Sequence, residues 1–200
     1  PRTLDCDIES ISNLNVDLVF MPDTDEIYPV NDRASVEVPI SELESIYCGE
    51  HRPGHFRGVA TIVSKLFNIV QPDIAIFGEK DYQQLLIIRS LVKNLFLPIE
   101  IIGLPTVREA NGLAMSSRNN YLTESERQKA PILYKCIKTT VNSIINGVKD
   151  FEKLEKEAKL FLEEAGFKTE YYNICDSETL GPVQGKTLVV LAAVWLGKTR

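Results

Sequence analysis

The chain has 200 residues, 44% of them hydrophobic and 25% charged, with a formal net charge of −6. That length and balance can bury a sizeable core and exclude an extensively disordered chain. The acidic excess argues against a protein that coats nucleic acid, and the apolar run at 189–196 falls far short of the ~20 residues of a membrane-spanning helix.

Cys6, Cys48, Cys136 and Cys175 are widely spaced and form no CxxC pair, so reduced structural thiols are expected rather than zinc ligands or a disulfide framework. The opening Pro1-Arg2-Thr3-Leu4-Asp5 shows neither an initiator Met nor a signal-peptide pattern, and cytoplasmic residence is the expectation.

In chain order, a short helix is expected over residues 7–14 and a strand over 18–21, ahead of Pro22. Pro29 and the polar Asn31-Asp32-Arg33 mark a loop, Val36 and Val38 read as an extended edge, and Ser41 reads as the cap of a short helix holding Leu43 and Ile46. Val59, Ile62, Val63, Leu66 and Phe67 recur at helical spacing and predict a longer helix after Gly58. Beyond Pro72, the apolar run 74–77 suits a parallel strand covered on both faces.

Leu85, Ile88, Leu91 and Val92 then mark the inner face of another helix, and residues 99–102 supply a second strand. This order favours an α/β nucleotide-binding architecture, and Pro105 with Gly112 places a domain boundary between 1–106 and 107–200. The second part reads as a smaller α+β domain. Thr123 with Glu126 forms a capping-box pattern, long helices are expected over 127–146 and 150–165, and strands near Tyr171 and Val189.

Three polar blocks carry the chemistry. Gly78-Glu79-Lys80-Asp81-Tyr82-Gln83-Gln84 follows the end of the 74–77 strand. Lys80 there can neutralise a nucleotide phosphate, Gly78 allows close backbone approach, and Asp81 can accept from a ribose hydroxyl. Gln83 and Gln84 offer donors and acceptors to a small polar substrate.

Met115-Ser116-Ser117-Arg118-Asn119 supplies two hydroxyls and a guanidinium suited to terminal phosphates and departing pyrophosphate. On spacing alone, each block reads equally as a solvated loop or helix cap, since neither is a Walker A loop. Arg52-Pro53-Gly54-His55-Phe56-Arg57-Gly58 reads as a shaped cationic loop in which His55 positions rather than catalyses. Asp5, Asp7 and Glu9 read as a solvated helix start rather than a metal site, and no metal-binding residue is assigned.

Taken together, the 52–58, 78–84 and 112–119 blocks, in this order, resemble the pantoate–beta-alanine ligase (pantothenate synthetase) family over essentially the whole chain. The resemblance implies a Rossmann-like nucleotidyltransferase domain, N-terminally incomplete, with a smaller α+β C-terminal domain that acts as a phosphate-binding lid. It implies ATP-dependent activation of pantoate as pantoyl adenylate and attack by beta-alanine to give pantothenate, AMP and pyrophosphate.

It further implies that Lys80 and Arg118 are catalytic, and that ATP is bound by Gly78, Lys80, Asp81, Val107, Met115, Ser116, Ser117 and Arg118. Gln84 would hold pantoate, while Arg52 and His55 would support the wall of the site. Mg2+ accompanying the nucleotide and a homodimer are implied as well. The family's upstream HxGH motif and a nearby Asn/Gln-bearing loop have no counterpart after Pro1, so the first two strands of the sheet are expected to be missing. Cys6 and Ser10 stand where the family can carry acidic and glutamine residues. A nucleotide-binding fragment without complete catalysis, or another carboxylate-adenylating ligase, are the alternative readings.

Overall fold

The computed structural model describes residues 4–29, 43–184 and 187–200. The expected edge at Val36 and Val38 and the cap at Ser41 lie outside them. The chain packs as two compact units, Pro1–Val36 and Glu37–Arg200.

In the first unit, α1 spans Leu4–Ile11, earlier than the 7–14 expectation, and none of its residues is buried. Serines decide where it stops. Ser10 Oγ and Ser12 Oγ donate to the carbonyls of Cys6 and Glu9, both at 2.7 Å, competing with helix propagation. The expected strand at 18–21 is absent, and Leu18 is 81% exposed. Its apolar run pairs with no strand among the described residues, and an unpaired strand leaves its backbone groups to water. After it, α2 spans Thr24–Ile27, and Glu26 reaches back to accept from the Asp23 N–H at 2.7 Å.

The second unit begins its described portion with α3, Cys48–His51, and α4, His55–Val70. Phe56, Ala60, Val63 and Phe67 form the buried stripe of α4, the i, i+4, i+7, i+11 face of a helix. The β1 strand, Ile74–Gly78, runs parallel to β2, Glu100–Leu104, with Ile76 opposite Ile102. Between them α5, Tyr82–Asn94, makes the crossover and buries Leu85, Ile88, Leu91 and Val92. This is a βαβ unit, as the sequence periodicity implied.

Helix α5 packs against α4 and against both strands. Gly103 marks the tight point, because a Cβ there would lie 2.9 Å from Leu85 Cδ2. On the strand's far face Ile74 and Ile76 are 51% and 60% exposed. Among the described residues, helices therefore cover one face of β1 rather than the two that the continuous apolar run predicted.

The remaining part carries α6, Glu124–Lys129, α7, Ile132–Ile145, and α8, Phe151–Glu164. The expected long helix over 127–146 is split because Pro131 has no N–H to continue the ladder and its ring crowds the preceding turn. The capping box is formed: Glu126 N donates to Thr123 Oγ1 and Thr123 N to Glu126 Oε2. Strands β3, Lys168–Asp176, and β4, Leu188–Trp195, pair antiparallel beneath α7 and α8. Leu162, Phe167, Tyr172 and Val194 anchor this core, and the buried Tyr172 hydroxyl is satisfied by Thr140 Oγ1 at 2.7 Å.

Candidate active site

Lys80 lies in the 3-10 turn Glu79–Asp81, which leads directly from β1 into α5. Its Nζ sits 3.8 Å from Asp81 Oδ1, and 41% of the side chain is exposed, so the ammonium is only loosely held and is available to an incoming anion. A Cβ added at Gly78 would meet nothing within 4 Å. That leaves open space against the backbone at the C-terminal end of a parallel strand, where α/β sheets place their ligands.

The two glutamines of this block part company. Gln83 is buried and faces inward: Nε2 donates to the Leu43 and Ile46 carbonyls at 2.6 and 2.9 Å, and Oε1 accepts from Cys48 N at 3.2 Å. Those bonds fasten the segment ahead of α3 and leave Gln83 no part in meeting a substrate. Gln84, half-buried, is the one that remains available.

Arg52 Nη1 lies 3.0 Å from His55 Nε2. The imidazole pKa is lowered, first by burial and then by the positive charges of Arg52, Arg118 and Arg200, with Asp81 acting in the opposite sense. One ring thus feels a residue from each of the three blocks, Arg52, Asp81 and Arg118. The helix that carries it begins at His55 because Gly54 turns the chain with φ +77.

The third block follows a short hairpin. Arg108 pairs antiparallel with Ala114, and Met115 N donates to the Val107 carbonyl at 2.9 Å. Val107 and Met115 therefore face each other across the hairpin, and both are exposed, at 66% and 59%. Gly112 makes the turn at φ +96, and Arg108 fixes it by donating to the Gly112 carbonyl while its guanidinium stacks 3.6 Å over the Tyr134 ring.

Ser116 then caps the 3-10 turn Ser117–Tyr121 by accepting from Arg118 N, and Asn119 Nδ2 closes the loop on the Ala114 carbonyl at 3.0 Å. Ser117 and Arg118 stay exposed. The arrangement offers an apolar clip, a hydroxyl and a guanidinium in succession, groups suited to a base and its phosphates.

Local reading of the sequence missed the groups behind these loops. Glu170 accepts from Arg200 Nε at 2.5 Å, and its other oxygen lies 3.5 Å from His51 Nδ1. Arg200 Nη2 also reaches Cys48 Sγ at 3.0 Å. Burial works against the Arg200 charge, but its bonds to Glu170 and Cys48 outweigh that and raise its pKa. Tyr82 and Tyr47 donate to the carbonyls of Ser177 and Leu180, each at 3.0 Å. The partners are separated by tens of residues or more, and nothing in the local pattern flags them. Among the described residues no group of three or more His, Cys, Asp or Glu side chains is placed to hold a metal ion, all four cysteines are free, and no helix is long and apolar enough to cross a membrane.

A family model described as pantoate-beta-alanine ligase matches residues 1–200. The pantothenate synthetase of Pseudomonas savastanoi pv. phaseolicola is 50% identical over 204 residues, covering 100% of this chain and 71% of the relative. The pantoate–beta-alanine ligase of Schizosaccharomyces pombe is 49% identical, with the same coverage of 100% and 71%.

Among solved structures, a pantothenate synthetase from Thermus thermophilus superposes with a TM-score of 0.86 at 40% identity, covering 96% of this chain and 71% of the other. A ligase from Francisella tularensis, complexed with beta-gamma ATP and beta-alanine, gives a TM-score of 0.76 at 33% identity, covering 100% and 68%.

Proposed function

Because this chain belongs to the pantoate-beta-alanine ligase family, we propose that its three loop blocks form the site of ATP-dependent ligation of pantoate to beta-alanine. In the first step a pantoate carboxylate oxygen bonds to the α-phosphorus of ATP, the bond to the bridging oxygen breaks, and pyrophosphate leaves. In the second, the beta-alanine amine attacks the acyl carbon of pantoyl adenylate, loses a proton and expels AMP, giving pantothenate. No covalent protein intermediate is needed, since adenylation itself supplies the leaving group.

The roles are those that the family resemblance implies. Lys80 and Arg118 stabilise the charge that builds on the transferring phosphoryl group and on pyrophosphate. Ser116 and Ser117 position the phosphates. Gly78 and Asp81 meet the adenosine end of ATP, Val107 lies near the adenine, and Met115, exposed opposite it, lines the nucleotide pocket. Gln84 holds pantoate, while Arg52 and His55 support the wall. The same family likeness makes 1–106 the partial nucleotide- and pantoate-binding domain and 107–200 the phosphate-binding lid domain.

A Mg2+ ion arriving with the nucleotide would neutralise phosphate charge. The same reading carries a homodimer and a cytoplasmic setting, with no membrane or nucleic-acid partner.

What supports the proposal is the family model's match to residues 1–200, together with Arg52, Asp81 and Arg118 lying near enough to His55 for each charge to act on its ring. Pantoate-dependent ATP–pyrophosphate exchange tests it. Exchange should require pantoate and should collapse in both Lys80→Ala and Arg118→Ala; exchange that persists in both variants, or that proceeds equally well with unrelated carboxylic acids, overturns it.

A further inference from the structure

The 176–181 turn that follows β3 is held by a dense set of hydrogen bonds. Asp176 Oδ1 accepts from Glu178 N, Thr179 N and Thr179 Oγ1 at 3.0, 3.0 and 3.1 Å. Asp176 N donates to the Gly181 carbonyl, Leu180 N donates to the Asp176 carbonyl, and Ser177 Oγ meets Thr187 Oγ1 at 2.9 Å. Two tyrosines from different active-site loops end on this one turn. Tyr82, two residues after Lys80, donates to the Ser177 carbonyl, and Tyr47, just ahead of α3 and the Arg52 loop, donates to the Leu180 carbonyl.

Tyr47 and Leu180 both adopt positive φ, +48 and +56, a conformation that costs a bulky residue energy and persists only where its surroundings impose it. One hydrogen bond therefore joins two strained residues.

We infer that the 176–181 turn is a positioning element for adenylation, holding the Lys80 loop and the Arg52–His55 loop in fixed mutual register through Tyr82 and Tyr47. The inference rests on the function proposed above. Neither tyrosine meets substrate; each acts through the loop it anchors. Burial first, and then nearby polar and acidic groups, push the Tyr47 pKa to about 12. Burial also raises that of Tyr82. Both hydroxyls thus keep their protons, and their donor role, throughout the neutral range.

The test is a double-mutant cycle of Tyr47→Phe and Tyr82→Phe in the enzyme, read by pantoate-dependent ATP–pyrophosphate exchange and by thermal melting. Because both links end on one rigid body, each single change should lower kcat about fivefold, of the order expected for one lost hydrogen bond, with little change in the KM for ATP. The double variant should be little worse than the poorer single one.

Asp176→Ala should reproduce the loss of kcat, and Asp176→Asn should restore part of it, because the amide oxygen keeps two acceptor lone pairs for these donors. Melting losses with kcat unchanged in all variants would make the turn merely structural and overturn the inference, as would strictly additive kinetic losses. A parent enzyme showing no pantoate-dependent exchange would instead remove the proposed function, and this inference with it.

Discussion

Arg52 Nη1 lies 3.0 Å from His55 Nε2, so the guanidinium donates to a ring nitrogen that must be unprotonated to accept. This geometry places the imidazole proton on Nδ1 and favours the neutral ring, in the same direction as burial and the neighbouring cations. His55 should titrate below its ordinary value of 6.5, and Arg52→Ala should move its midpoint upward, as read by NMR of the ring protons. Since the folded pKa lies below the unfolded one, this histidine's contribution to stability is present above pH ~6.5 and is lost as pH falls from there towards the folded value. A His55 midpoint at or above 6.5 would contradict the arrangement.

Lys80 is only loosely tied to Asp81. Lys80→Ala should therefore leave the melting temperature nearly unchanged, as most surface substitutions do within ~0.5 kcal/mol. It should lower pantoyl-adenylate formation by about 10²- to 10³-fold, the range found when a charge-stabilising donor is removed. Exchange kinetics alongside a melting curve separate the two effects.

Gln83 and Gln84 are neighbours with opposite fates. Gln83→Ala strands the Leu43 and Ile46 carbonyls and the Cys48 N–H, and should destabilise the fold by about 2–3 kcal/mol in a urea titration. Gln84→Ala should leave the urea midpoint in place and raise the KM for pantoate about tenfold, the worth of one good polar contact. A reversed pattern would mean that Gln83, not Gln84, faces the substrate.

Val107 and Met115 are exposed apolar residues opposed across one hairpin. Met115→Ala should raise the KM for ATP by up to about tenfold, the worth of ~1.5 kcal/mol of apolar contact, without affecting the melting temperature. A KM for ATP left unchanged would place the adenine elsewhere.

Tyr172 is fully buried, and its hydroxyl bonds Thr140. Tyr172→Phe leaves the Thr140 hydroxyl short of a partner in the core between α7, α8 and the β3–β4 pair. It should cost about 1–2 kcal/mol in denaturant titration while leaving exchange kinetics alone.

Local order along the chain was enough to identify the βαβ unit, the capping box at Thr123 and the three polar blocks. Helical and strand periodicities, a hydroxyl three residues before a glutamate, and a cation just past a strand end all act over a few residues. The strand expected at 18–21 failed because an extended run needs a partner, and pairing is a long-range property. The split at Pro131 has a local cause, the missing N–H, which the expectation of one helix over 127–146 left out. Only the folded chain decides which of two adjacent glutamines is buried. It also decides that Tyr47 and Tyr82 meet a turn near residue 180, and that Arg200 stands beside Cys48 and Glu170. Those outcomes depend on burial and on hydrogen bonds between segments distant in sequence, whose energies are set by tertiary packing rather than by any residue's neighbours.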